Sequence, residues 1–197
     1  MAFFNSKTLF TLHHTLAYGM LGCALNDKYN ISTSKIIIRK NENGKPFLFS
    51  SQKNIKISVS HSGHIVAVAL SRSEIGIDVQ KVDGDSGNVF CYEDFFAYDE
   101  MKYIDSFPKR SVIFAVFWTR KEALIKRLGL GICDGLRCSC FNKATHSFMI
   151  NSILGQRYAF SYSFSGSDVD IYRYDNLSIG KIFAAYKSIQ MKKATFN

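Results

Sequence analysis

A chain of 197 residues with 47% apolar and 21% charged side chains has the material for a buried core, which excludes a disordered or fibrous polymer. Its formal charge of +9 favours phosphate-bearing ligands, nucleic acid or an acidic protein surface as partners. Five cysteines in a chain of this length do not form a disulfide framework, so reduced thiols in a cytoplasm are expected.

The stretch LFTLHHTLAYGMLGCAL predicts a half-buried helix over Leu9–Asn26. Two histidines in its middle and a single preceding cation, Lys7, do not suit a signal peptide, and the run is too short and polar to span a membrane. A strand is expected over Ile31–Arg39, then a breaker-rich turn from Asn41 to Pro46. Short strands follow at Ile55–Ser60, His64–Ser71 and Ile75–Lys81, joined by a hairpin signal at Ser62-Gly63 and a turn at Arg72-Ser73-Glu74. The loop Asp83-Gly84-Asp85-Ser86-Gly87 marks a boundary. Beyond it, Tyr92–Phe107 reads as a helix up to Pro108, and Val112–Leu128 as a strong helix ended by Gly129 and Gly131. The remainder reads as strands, with Tyr158–Phe164 and Val169–Tyr174 around the turn Ser165 to Asp168, and Ile179–Tyr186 alternating again. Helix then sheet, twice over, predicts an α+β fold of two similar halves, residues 1–88 and 89–197, alike in element order without an internal repeat.

Chemistry concentrates in three places. In the strand Ile75–Lys81, Asp78 and Gln80 project from one face beside Gly76, which leaves room for another group to approach. A carboxylate there calls for a cation, and magnesium takes oxygen ligands while keeping waters; the plainer alternative is a polar strand face in solvent. The hairpin residues Ser60, His61, Ser62 and Gly63 offer a hydroxyl, an imidazole and turn N–H groups, a phosphate-binding set, although such a pair at a turn also serves as local capping. In FWTRKEALIK, Trp118, Glu122 and Lys126 recur at helical i, i+4 spacing, while Phe117, Leu124 and Leu128 fall on a stripe suited to the core. Glu122 and Lys126 are also in the orientation of an ordinary surface ion pair. The adjacent Arg120 and Lys121 are expected to crowd Glu122 with positive charge and keep it ionised.

The order GKP (44–46), SHSG (60–63), GIDVQ (76–80) and FWTRKEALIK (117–126) resembles the Sfp-type 4'-phosphopantetheinyl transferases, whose motifs have the forms GKP, N-x-SHS, GID-x-E and W-x-x-KEA-x-x-K. The likeness extends from TLAYGMLGCAL to IGKIFAAY. It implies a pseudo-dimer of two α+β halves with the active site in the cleft between them. It also implies transfer of the phosphopantetheine arm of coenzyme A to a serine of an apo acyl or peptidyl carrier protein, releasing adenosine 3',5'-bisphosphate.

Carried across on matching motifs, the resemblance makes Asp78 and Glu122 magnesium ligands, with Gln80 beside them. Glu122 becomes the base for the acceptor serine, His61 a contact to the pyrophosphate, and Lys126 the group that neutralises or protonates the leaving bisphosphate. Ser60 and Lys45 hold the adenosine end, Lys121 supports them, and Thr15 fits the family's first helix. Two departures stand out. Gln80 occupies the place of a second acid, which removes one negative charge from the metal site. The residues before the first helix are few, leaving Lys7, His13 and His14 as substitutes for missing coenzyme A contacts. The positive charge would steer an acidic carrier, and Phe95, Phe96, Tyr98 and Met101 would offer apolar docking contacts or plain core. A monomer suffices, with no nucleic acid and no membrane as partner. The alternatives are a basic module that stacks single-stranded nucleic acid on aromatic side chains, and a lipoprotein anchored through Cys23.

Overall fold

The computed structural model describes residues 6–49, 54–82, 95–131, 138–151, 155–166 and 179–191. Helix α1 (Ser6–Tyr29) runs past both of its predicted ends. It buries Ala17, Tyr18, Leu21, Ala24 and Leu25, a single stripe at helical spacing. Asn30 closes it in the left-handed region at φ 52°, a cap that asparagine tolerates. The predicted strand over Ile31–Arg39 is therefore corrected. Its first half is the helix exit and a 3-10 turn at Thr33–Lys35, and strand β1 covers only Ile37–Lys40. The Ser-Thr-Ser cluster explains this, since these hydroxyls favour turns over strand ladders.

Strand β2 (Pro46–Leu48) pairs antiparallel with β1. Strands β3 (Lys56–Ser62) and β4 (Ile65–Ser71) form a two-stranded hairpin sheet, and β5 (Ile75–Lys81) begins a third sheet. Helix α2 spans Tyr98–Asp105, so Phe95–Ala97 precede the helix instead of lying within it, as the predicted helix Tyr92–Phe107 had them. Glu100 explains the start point: its carboxylate accepts the Ala97 N–H at 2.9 Å and caps the helix there. Helix α3 (Arg110–Leu128) ends on Gly129 in the left-handed conformation. Leu128, expected in the core, is 49% exposed in the helix's last turn. Strands β6 (Thr145–Asn151) and β7 (Arg157–Phe164) complete the sheet in the order β5-β7-β6, with Asp78 opposite Ser161.

The alternating segment Ile179–Tyr186 is a helix, α4 (Ile179–Ser188), which corrects the strand expected there. Ile182, Ala185 and Ile189 are buried at spacings of three and four, so the helical period won over the apparent period of two. Gly19 of α1 lets α4 approach, because a Cβ at that position would strike the Ile182 carbonyl. The chain then adds β8 (Gln190–Met191) parallel to β1. The predicted strand Val169–Tyr174 and the boundary loop Asp83–Gly87 lie outside the described residues.

Helices and sheets thus mix in an α+β arrangement with two cores. Tyr18, Leu21, Leu25, Ile36, Ile38, Ile55, Ile57 and Ile189 form one, and Phe96, Ile104, Phe117 and Cys140 the other. Elements on either side of position 88 interleave: β8 joins β1, α4 packs on α1, and β5 pairs with β7 under α3. Among the described residues, no helix is long and apolar enough to cross a membrane.

Candidate active site

The seam between the β3–β4 hairpin and β5 is closed by side chains. Ser58, Ser60 and Ser62 alternate along β3, and their hydroxyls accept the backbone N–H groups of Ile77, Val79 and Lys81 at 3.0, 3.2 and 2.9 Å. Three hydroxyls at period two therefore replace a stretch of backbone ladder, and buried amides that need partners receive them. Ser60 does more than its neighbours. It also donates to Asp78 Oδ1 at 2.7 Å, which fixes the carboxylate on the seam.

Helix α3 crosses β5 at Gly76, where a Cβ would collide with the Ala123 carbonyl and the Arg127 amide. This close approach brings the stripe carrying Glu122 and Lys126 down onto Asp78. The Lys126 ammonium lies 2.5 Å from Asp78 Oδ1 and 4.0 Å from Glu122 Oε2, and it reaches Ser60 Oγ at 3.5 Å. Two carboxylates from different elements thus converge on one cationic point. Burial pushes the Glu122 carboxyl above the usual range and the neighbouring Asp78 adds to it, against the pull of Lys126. His61 stands next to Ser60 on β3, and its ring stacks on that of His13 from α1 with centroids 4.5 Å apart. Partial burial of one side of the ring, His13 and Lys126 lower its proton affinity more than Asp78 raises it, so the neutral imidazole is favoured.

The cations expected to crowd Glu122 point elsewhere. Arg120 donates to the carbonyls of Cys140 and Asn142 and to Ser147 Oγ, and Lys121 pairs with the buried Glu100 at 2.7 Å while donating to the Cys138 carbonyl. Adjacent helical residues diverge by about 100°, so Lys126, one turn on from Glu122, is the cation that faces it.

Residues 74–180, more than half of the chain, match the family model of the 4'-phosphopantetheinyl transferase superfamily. The chain belongs to this superfamily. Over 120 residues it is 34% identical to the 4'-phosphopantetheinyl transferase gsp of Aneurinibacillus migulanus, covering 57% of this chain and 48% of that protein. Identity is 31% over 114 residues to psf-1 of Bacillus pumilus, with the same two shares. It is 30% over 123 residues to ffp of Bacillus subtilis, covering 61% of this chain and 54% of the relative. Both carry the same transferase name. The chain spans about half the length of these relatives.

Other residues that the transferase motifs single out make contacts of their own. Gln80 shares the Asp78 face of β5, and its amide donates to the Lys81 carbonyl at 3.3 Å. Lys45 sits at the end of α3, bound to Glu74 at 3.2 Å and to the Arg127 carbonyl at 3.0 Å. Thr15 is buried within α1. Lys121 is sequestered with Glu100, as described above. Trp118 packs edge-on against Phe95 beside the second core. Among the described residues, no group of three or more His, Cys, Asp or Glu is placed to hold a metal ion. Three features escaped the sequence reading: the serine ladder, the Glu100 pin and the His13–His61 stack. The spacing of Ser58, Ser60 and Ser62 was the one advance signal among them.

Proposed function

We propose that this chain transfers the 4'-phosphopantetheine arm of coenzyme A to a serine hydroxyl of an apo acyl or peptidyl carrier protein, releasing adenosine 3',5'-bisphosphate. One observation carries the reading: Asp78 of β5 and Glu122 of α3 share the Lys126 ammonium beside Ser60 and His61. In this reading the fold is a pseudo-dimer with its site between halves. Ser60, His61 and Asp78 come from residues 1–88, and Glu122 and Lys126 from residues 89–197. One copy of the chain then supplies the whole site, so a monomer is sufficient.

A serine hydroxyl is a poor nucleophile, and Glu122 removes its proton as the oxygen attacks the β-phosphorus of coenzyme A. The new oxygen–phosphorus bond forms while the bond from that phosphorus to the oxygen of the adenosine-bearing phosphate breaks. Burial raises the proton affinity of Glu122, which suits it to accept that proton. Lys126 offsets the charge on the departing bisphosphate or protonates it. His61, held neutral, meets the pyrophosphate as a hydrogen-bond donor. Lys45 and Ser60 serve the adenosine end, with Lys45 exchanging Glu74 for a phosphate. Thr15 and Lys121 act as structural residues in this scheme.

The donor set suits magnesium. Asp78 and Glu122 both face the point held by the Lys126 ammonium, so positive charge is stabilised there, and magnesium is commonly held by one or two carboxylates plus substrate phosphates and waters. Asp78 and Glu122 would hold it, with Gln80 acting through water, and when bound it supplies charge neutralisation at the phosphoryl oxygens. Incubating the chain with coenzyme A, magnesium and an apo carrier protein tests the proposal. The carrier is expected to gain the mass of one phosphopantetheine, and Glu122→Ala to abolish the gain. An unmodified carrier, or a gain that survives Glu122→Ala, counts against it.

A further inference from the structure

The hairpin tip next to His61 is gripped from both sides. It turns at Gly63, which lies at φ 53° where side chains are rarely accommodated, and a Cβ there would also press on the Tyr158 hydroxyl. Tyr158 of β7 accepts the His64 N–H at 3.2 Å and donates to Gln156 at 2.7 Å. From the opposite element, α1, His13 Nε2 donates to the Gly63 carbonyl at 2.9 Å. A carbonyl only accepts, so this bond places a proton on Nε2 and sets the plane of the His13 ring. The His61 ring then lies on that plane, inclined by 26°. His13 is 7% exposed, whereas His61 is exposed, so an anchored ring backs a presented one. Unsupported hairpin tips are among the more mobile parts of a sheet.

We propose that His13 is a positioning residue, which holds the His61 imidazole in the orientation that meets the coenzyme A pyrophosphate. The proposal rests on the transferase reading and assigns His13 a role exerted through His61, with no contact of its own to substrate. It also gives α1 a part in the site: the helix supplies a backing surface for a neutral hydrogen-bonding ring.

Three variants separate the two contacts. His13→Gln keeps a donor for Gly63 without the ring, His13→Phe keeps a ring without the donor, and His13→Ala removes both. The KM for coenzyme A is expected to rise about tenfold in His13→Ala, the equivalent of one well-placed interaction, while kcat changes less than about twofold. In a His61→Ala background, His13→Ala is expected to have no further effect, since nothing remains to be positioned. An equal loss in both backgrounds, or an unchanged KM in the single variant, overturns the proposal. Ring-proton NMR of the full chain without coenzyme A provides a separate readout. The His61 signals, shifted by the adjacent ring face, are expected to move in His13→Gln at unchanged Tm. If they stay in place, the positioning claim fails whatever the kinetics show. If they move but coenzyme A neither binds nor reacts, the ring contact stands and the transferase reading is what falls.

Discussion

At the scale of single residues, the site depends on side chains that satisfy more than one neighbour. Ser60 accepts the Val79 N–H and donates to Asp78, so Ser60→Ala leaves a buried amide and a carboxylate each short of a partner. The expected cost is about 1–3 kcal/mol in urea unfolding. Ser58→Ala orphans the Ile77 amide in the same way but leaves Asp78 untouched. The two variants should therefore lose similar stability, while, if Asp78 holds magnesium as proposed, only Ser60→Ala raises the magnesium concentration needed for half-maximal transfer. Equal magnesium dependence in both would remove Ser60 from the site. Glu100 and Lys121 form a tighter commitment, with side chains 2% and 4% exposed. Lys121→Met strands the Glu100 charge, and a loss of about 3 kcal/mol is expected by denaturant titration. Burial pushes the Glu100 carboxyl up, but the Lys121 hydrogen bond and the Cys140 and Ala97 N–H groups outweigh it and hold it below its ordinary value. A depressed carboxylate adds stability above its unfolded-state value and loses it as pH falls through the folded value. Wild-type stability should accordingly drop on the acid side of about pH 4.5, the ordinary glutamate value, and the drop should be shallower in Glu100→Gln. A parallel acid limb in that variant would show that Glu100 does not contribute to it.

At the scale of elements, the packing of α3 across β5 decides whether the site exists. The helix backbone sits so close to Gly76 that a methyl group there meets the Ala123 carbonyl and the Arg127 amide, neither of which can turn aside. Gly76→Ala is expected to lift Glu122 and Lys126 away from Asp78, at a cost of about 1–3 kcal/mol and with transfer activity reduced well beyond what stability alone explains. Comparing activity at a temperature where both proteins remain folded checks this, and full activity there would contradict the close crossing. Much of this architecture was legible in advance. The hairpin, β5, α3 and the i, i+4 stripe of Glu122 and Lys126 follow from hydrophobic period and turn chemistry. The glycine beside Asp78 also signalled an approaching group. What stayed hidden needed a third dimension. Ile179–Tyr186 satisfies both strand and helix periods over so short a run, and its burial against Gly19 of α1 settles the matter. Lys121 looked like a companion of Glu122 because the two are adjacent. On a helix, adjacency sends side chains apart, and the partner of Lys121 lies on α2.

At the scale of the whole molecule, interleaving and charge set the remaining expectations. β1 takes β8 as a neighbour, and β5 takes β7 and α3, so a fragment of residues 1–88 would expose both edges and the face that α3 covers. That fragment alone is expected to give collapsed amide NMR dispersion, and mixing it with residues 89–197 to restore part of the pattern. Dispersed native-like spectra from the fragment would show that its own core suffices. The charge of +9 acts over longer distances. If the acceptor is an acidic carrier protein, long-range attraction raises the encounter rate more than the final affinity. Raising salt from about 0.1 M to about 1 M shortens the screening length from about 10 Å to about 3 Å. At saturating coenzyme A, kcat/KM for the carrier should then fall by about tenfold or more, while kcat at saturating carrier changes little, because the shared ammonium at Asp78 and Glu122 is screened far less than exposed charge. A loss confined to kcat would place the salt effect inside the catalytic cluster and take the positive surface out of carrier recognition.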